Sequence, residues 1–319
     1  MPKLESPLKI LSPIVNIDLP CLKKHKITLI IKRDDCIHPI ISGNKWRKLK
    51  YNLVEAKAQN KSIIISFGGA FSNHIHALAY AGKVHGIKTL AIIRGEPEYQ
   101  SNFTLTQARK WGMTLKFVDR ATYKLRQQES YQQQLLQQYP NSYLVPEGGS
   151  NQLALPGVGE VISELNQQTN FDYLLTPVGS GGTLAGLVKA DANQHHLLGI
   201  AVLKHQGYLN DEVNTLLQDN ELFTNWQILD DFHCGGYGKF TAEQAEKIRA
   251  FSLQTNVPFE PVYSGKMVLA FLTLLEQGYF KPNSKVVLLH TGGLQGLGGL
   301  CERGILDKAQ WPVPNFNLA

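Results

Sequence analysis

The sequence predicts an α/β fold built as two parallel-sheet domains. Short β-branched and aliphatic runs alternate with longer amphipathic segments along most of the chain, which is the pattern of parallel sheets with helices on both faces. A chain of 319 residues is long for a single hydrophobic core. The alternation also runs twice, and Pro146-Glu147-Gly148-Gly149-Ser150-Asn151 interrupts it between the two passes. We expect residues 48–154 to form a smaller α/β domain, and residues 1–47 with 155–319 a larger one.

In chain order, Ile27–Ile31 reads as a strand, followed by a loop with Pro39 and Gly43. A helix then runs from Lys45 to about Gln59 on the spacing of Leu49, Leu53 and Val54. Ser62–Ser66 is a buried strand that turns at Gly68-Gly69. Ser72 and Asn73 are good N-cap residues for the next helix, which Gly86 closes. Thr89–Ile93 and Leu115–Val118 are strands, with a helix over Asn102–Lys110 between them. Tyr123–Gln138 reads as one glutamine-faced helix that keeps Leu125, Leu135 and Leu136 as its apolar stripe. Tyr143–Val145 is a short strand. The second pass gives helices over Gly157–Gln167, Leu184–Ala192, Glu243–Leu253 and Lys266–Glu276. Its strands are Tyr173–Thr176, Leu197–Val202 and Val286–His290. The N-terminal thirty residues and the region Gln194–Asp231 yield no motif.

The net charge of +6 suits anionic ligands but is spread too thinly for nucleic acid. Cys21, Cys36, Cys234 and Cys301 form no C-x-x-C pair, so neither a zinc ribbon nor a redox motif is indicated, and a disulfide framework is not expected. There is no H-E-x-x-H, and His74 and His76, two apart on a helix, diverge, so no metal is expected. Met1–Pro7 lacks the apolar core of a signal peptide, and no window reaches the length of a membrane span. A cytoplasmic protein without a membrane partner is expected.

Four stretches carry chemistry. Ser42-Gly43-Asn44-Lys45 places a lysine after a turn, at the start of a basic helix. A lone lysine there is ordinarily a solvated charge. An amine can also hold an aldehyde cofactor such as pyridoxal 5'-phosphate as a Schiff base. Val178-Gly179-Ser180-Gly181-Gly182-Thr183 lies between a strand and a helix, where converging backbone N–H groups can hold a phosphate. A dinucleotide turn would need glycine at Leu184, and no Gly-Lys-Ser/Thr follows for a Walker motif. Tyr237 and Tyr263 each sit in a glycine-lined loop, either as packed rings or as proton donors and acceptors. His74 adjoins Ser72 and Asn73 and stays open as a polar contact. Ser42-x-x-Lys45 also fits the S-x-x-K of penicillin-recognising enzymes, but the second element is misplaced and the alternating α/β pattern does not suit that architecture.

Taken together, these residues resemble the 1-aminocyclopropane-1-carboxylate deaminase/D-cysteine desulfhydrase family of pyridoxal-phosphate enzymes. The matching pieces occur in family order. They are Lys32-Arg33-Asp34-Asp35, Gly43–Leu49, Gly68–His74, Glu147–Asn151, Gly179–Thr183, Gly236-Tyr237-Gly238, Pro261–Lys266 and His290–Gly293. The resemblance implies the tryptophan-synthase-β-like fold (fold type II), with the cofactor in the cleft between two α/β domains, and a homodimer. It implies Lys45 as the Schiff-base lysine and Cα base, and Asn73 as the contact to the ring hydroxyl. Ser72 would meet the substrate carboxylate or act in proton transfer, with Asn73 and His74 beside it at the substrate. Gly179, Ser180, Gly181, Gly182 and Thr183 would hold the phosphate, and Thr291 would face the pyridine nitrogen. Tyr237 and Tyr263 would flank a small amino-acid substrate as catalytic residues.

The deaminases resemble one another in carrying Glu at the place of Ser264 and Leu at the place of Thr291. The pair here is desulfhydrase-like. The expectation is α,β-elimination from D-cysteine or a similar small D-amino acid. The alternatives are 1-aminocyclopropane-1-carboxylate deamination and, from another class, a catalytically silent cofactor-binding relative. Phe71, just before Ser72, would change the substrate range if its ring points into the site.

Overall fold

The computed structural model describes residues 11–204, 207–218 and 222–314. Among them, ten strands form two sheets. The strands are β1 (Ile14–Ile17), β2 (Thr28–Lys32), β3 (Ile63–Gly69), β4 (Lys88–Arg94), β5 (Thr114–Val118), β6 (Ser142–Leu144), β7 (Tyr173–Val178), β8 (His196–Ala201), β9 (Trp226–Leu229) and β10 (Lys285–Leu289). The helices are α1 (Pro20–His25), α2 (Asn44–Ala58), α3 (Asn73–His85), α4 (Phe103–Lys110), α5 (Arg120–Lys124), α6 (Glu129–Gln138), α7 (Ala154–Gln168), α8 (Gly182–Asp191), α9 (Tyr208–Leu217), α10 (Ala242–Thr255), α11 (Ser264–Glu276) and α12 (Gly296–Glu302). No helix among the described residues is long and apolar enough to cross a membrane.

The chain divides into two compact units. One comprises His38–Ala154 and the described part of the segment from Gln295; the other comprises the described parts of Lys9–Ile37 and Leu155–Leu294. The division differs from the expected 48–154 at two places. The stretch from His38 joins the first unit, and so does the C-terminal segment. Packing around α12 explains the second difference. A Cβ on Gly298 would lie 2.4 Å from Phe103, and one on Gly299 would lie 2.4 Å from Phe71. Two missing side chains therefore let α12 press onto the start of α4 and the turn before α3.

In the first unit, β5-β4-β3-β6 is an all-parallel sheet. The β-branched run of β3 is buried on both faces, as a covered parallel strand must be. Ser72 caps α3 by accepting from Ile75 N at 3.3 Å, and Gly86 ends it with φ 66°. The expected single helix over 123–138 is instead two, α5 and α6, joined by a 3-10 turn at Leu125–Gln127. Arg126 turns back to donate to the Tyr123 carbonyl at 3.3 Å and to Glu147 at 2.6 Å, and Gln128 is extended.

In the second unit the strand order is β1-β2-β10-β7-β8-β9, parallel throughout except at the β1 edge. The core lies between this sheet and α7, α8 and α9. A Cβ on Gly186 would lie 2.6 Å from Val158, so a glycine sets the close approach of α8 to α7. The uninterpreted regions hold β1, α1, α9 and β9. Leu209, Val213 and Leu217 of α9 are buried at helical spacing, a stripe that was available in the sequence.

One buried ion pair ties β2 to α7. Lys32 is fully buried and donates to Glu164 Oε2 at 2.7 Å, Ser12 O at 2.6 Å and Gln168 Oε1 at 2.8 Å. Removing one partner of a buried pair leaves an uncompensated charge. Lys32→Met should lower the unfolding free energy by about 3–5 kcal/mol in urea denaturation, with most of that loss recovered in the Lys32→Met/Glu164→Leu double variant. An unchanged midpoint in the single variant would contradict the assigned role.

Candidate active site

Parallel strands point their C-terminal ends to one edge, where the following helices begin, and α/β proteins place ligands there. Both sheets carry expected site residues at that edge.

In the first unit, β3 runs into Gly68-Gly69 and then into Ser72, Asn73 and His74. A Cβ on Gly68 would lie 2.5 Å from Ile75 and 2.8 Å from the Ser72 hydroxyl, so the tight turn requires glycine. Asn73, half-buried, opens α3 and accepts at Oδ1 from the Gln295 amide, which itself accepts from Thr104 Oγ1 at 3.2 Å. His74 is 2 % exposed, with Nε2 2.8 Å from Ser66 Oγ. The Ser66 hydroxyl donates to the Val145 carbonyl at 2.8 Å, so the imidazole donates through Nε2. The expected substrate residue His74 is thus a buried strut between α3 and β3. Burial, and then the charges of Lys45 and Lys48, hold its pKa down at about 3.

Lys45 lies in the first turn of α2, half-buried, after Gly43 with φ 62°, and Nζ donates to Asn44 Oδ1 at 2.6 Å. Lys48, one turn on, is 3 % exposed. It donates to Ser150 Oγ at 2.9 Å and Gly148 O at 3.3 Å, fixing the Glu147–Asn151 turn. Burial, and then Lys45, bring its pKa well below that of an ordinary lysine. Phe71, the aromatic before Ser72, is engaged in packing within the first unit. Its ring packs on Gly299, stands edge-on to Tyr99 at 6.0 Å, and has the Arg303 guanidinium 4.7 Å above it.

In the second unit, Gly179, Ser180, Gly181, Gly182 and Thr183 lead from β7 into α8. Gly181 has φ +73°, and a Cβ there would meet Val213 at 3.2 Å. A Cβ on Gly179 would lie 3.1 Å from Cε1 of Tyr263, so that ring rests on the turn. Tyr237 stands edge-on to Tyr263 with ring centroids 5.7 Å apart. Thr291 is buried just beyond β10, the parallel neighbour of β7, so it shares their C-terminal edge with the glycine turn.

Two buried charges frame the tyrosines. Glu260, 1 % exposed, accepts from the backbone N–H of Val262, Tyr263 and Ser264 and from the Ser264 hydroxyl. Burial raises its pKa to about 7. Lys266, fully buried, donates to three backbone carbonyls. Both lie in the Glu260–Lys266 stretch read for Tyr263. Charges at a helix start read as solvated, so neither was singled out; nor was Gln295.

Each unit by itself offers groups that suit pyridoxal phosphate. The Gly179–Thr183 turn is a cradle that side chains would fill, and the first turn of α8 leaves backbone N–H groups for an anion. Lys45 supplies an amine and Thr291 a neutral hydroxyl. Among the described residues no group of three or more His, Cys, Asp or Glu could hold a metal ion.

Comparisons with known proteins agree. A family model described as pyridoxal-phosphate dependent enzyme matches residues 10–292. A Pyrococcus furiosus protein provisionally named 1-aminocyclopropane-1-carboxylate deaminase is 30% identical over 84% of this chain and 85% of its own. An Arabidopsis thaliana protein named bifunctional D-cysteine desulfhydrase/1-aminocyclopropane-1-carboxylate deaminase, mitochondrial, is 29% identical over 90% of this chain and 77% of its own. A crystal structure described as an ACC deaminase homologue superposes with a TM-score of 0.81 at 26% identity, covering 94% of this chain and 96% of that one.

The buried histidines set an acid limit. His74 and His76 fall from the ordinary 6.5 to about 3, and His38 to about 4, each chiefly through burial. Between those values and 6.5 the unfolded chain binds more protons than the native one, so stability falls as pH falls. Glu260 acts oppositely between 4.5 and about 7, so the difference between variants is the readout. His74→Gln should flatten the slope of stability with pH between about 6 and 4 by up to about 1.4 kcal/mol per pH unit. An unchanged slope would mean that His74 titrates normally.

Proposed function

The chain belongs to the pyridoxal-phosphate dependent enzyme family, and from that premise we propose that it catalyses α,β-elimination on a small D-amino acid. D-cysteine and water would give pyruvate, ammonia and hydrogen sulfide. The observation that carries this reading is the pair of neutral hydroxyls at Ser264 and Thr291, where deaminases of the resembling family carry Glu and Leu. The Ser264 hydroxyl engages Glu260, and the five hydrogen bonds on Glu260 draw on both of its carboxylate oxygens. An acid partner for the pyridine nitrogen is therefore not supplied from this turn.

Bound pyridoxal phosphate supplies an electron sink for the pair released at Cα. The chain's residues do the rest. The Gly179–Thr183 turn and the start of α8 would hold the phosphate, Asn73 the ring oxygen and Thr291 the ring nitrogen. The Gln295 amide engages the Asn73 oxygen, which turns the Asn73 N–H groups outward as donors. The Lys45 amine would hold the cofactor and, as a free amine, would take the Cα proton. The Cβ–S bond then breaks with its electron pair on sulfur. Tyr263 or Tyr237 supplies the proton, and Ser72 binds the substrate carboxylate. Thiolate is a good leaving group, so a hydroxyl at the ring nitrogen suffices. Breaking a cyclopropane C–C bond asks for a stronger sink.

The second reading is 1-aminocyclopropane-1-carboxylate deamination, favoured by the activity named for the archaeal relative. The resemblance also supports a homodimer, which sedimentation of the purified protein tests.

The cofactor-loaded protein should release pyruvate from D-cysteine, little from L-cysteine, and no 2-oxobutanoate from the cyclopropane substrate. 2-Oxobutanoate from the cyclopropane substrate would overturn the Ser264/Thr291 reading in favour of the second one. Lys45→Ala should abolish turnover, and full activity in that variant would end the proposal.

A further inference from the structure

Lys266 is a charge in an unusual place. It is fully buried in the first turn of α11, three residues after Tyr263, which directly precedes that helix. An ammonium has three N–H donors. Here they meet Gly236 O at 2.7 Å, His233 O at 2.8 Å and Val202 O at 3.1 Å. Two of these acceptors belong to the loop that carries Tyr237; the third lies just past the end of β8. Burial, the largest influence, brings the pKa of Lys266 down from 10.5 to about 8. It therefore stays protonated near neutral pH.

The loop it grips is costly to hold. Cys234, Gly235, Gly236 and Gly238 all have positive φ, at 54°, 89°, 120° and 68°. Cys234 is not a glycine, and backbone in this region persists only where its surroundings fix it. Tyr237 sits among these residues, 45 % exposed, its ring edge-on to Tyr263. On the other side of Tyr263, Glu260 accepts from the N–H groups of Val262, Tyr263 and Ser264. One buried charge thus fixes the backbone of Tyr263, and the other ties the Tyr237 loop to the same helix.

We propose that Lys266 is a positioning residue that sets Tyr237 against Tyr263 by clamping the His233–Gly236 carbonyls to α11. It touches neither substrate nor cofactor and acts through Tyr237. An apolar side chain of the same length would fill the space and leave three buried carbonyls without that donor. The catalytic consequence rests on the reading above that the two tyrosines flank the substrate. The clamp itself does not.

Two measurements separate the clamp from that reading. Cys234 reports on the loop without any turnover. In Lys266→Met, alkylation of Cys234, compared as thiolate rate constants from its pH dependence because the Lys266 charge favours the Cys234 thiolate, should accelerate about tenfold or more as local opening becomes easier, while Cys36 and Cys301 keep their rates relative to the exposed Cys21, as read by peptide mapping. Unchanged Cys234 reactivity, or an equal rise at all three partly buried thiols, would overturn the clamp. In the cofactor-loaded enzyme, Lys266→Met should keep the visible absorption and cofactor affinity of the parent. It should lose roughly 100-fold in kcat/KM, the scale of a misplaced catalytic group. Adding Lys266→Met to Tyr237→Phe should cost less than about threefold more, because both changes remove the same contribution. Losses that multiply would overturn action through Tyr237. If Lys266→Met does not fold, Lys266→Gln keeps two amide donors and should give intermediate Cys234 reactivity; wild-type reactivity there would overturn the clamp.

Discussion

A parallel sheet collects the ends of its strands and the starts of its helices along one edge, and the turns between them must be tight. Several candidate residues of this protein answer to that constraint. Gly68 permits the turn from β3 into α3, where Ser72 and Asn73 sit. Gly179 and Gly181 permit the turn from β7 into α8, and Tyr263 rests on the space that a side chain at Gly179 would fill. Thr291 emerges beside it because β10 pairs in parallel with β7. Backbone geometry thus shapes both turns, and the candidate side chains stand at their ends.

Buried cations recur as anchors for turns that glycine makes possible. Lys48 holds the Glu147–Asn151 turn, where Gly148 and Gly149 have φ 69° and 70°. Lys266 holds the Tyr237 loop, and Lys32 ties the chain near Ser12 to β2 and α7. An ammonium suits this work because it donates in three directions on a flexible stem, so it gathers carbonyls that belong to no ladder. Freedom at a glycine-rich turn lets the backbone approach a ligand closely, and the neighbouring lysine restores the rigidity that the glycines remove.

The fold was largely legible because the central strands are apolar runs bounded by turns. Ile63–Phe67 and Val286–Leu289 could hardly be read otherwise. The failures have local causes. The α5–α6 break depends on Arg126 reaching Glu147 and the Tyr123 carbonyl, a contact that no periodicity encodes. α12 is glycine-rich and takes its place from Phe71 and Phe103, which are distant in sequence. The candidate residues were found through their glycine and tyrosine surroundings. Glu260, Lys266 and Gln295 were not, because their importance lies in burial, and burial of a charged or amide side chain is invisible until the chain is folded.

The central claim is that Lys45, and not its buried neighbour Lys48, carries the cofactor. Borohydride reduction of the pyridoxal-phosphate-loaded protein fixes the cofactor to the amine that holds it, and peptide mass mapping then reads the position. The account predicts a single phosphopyridoxyl label on Lys45. A label on Lys48 or on any other lysine, or no covalent label at all, would contradict it.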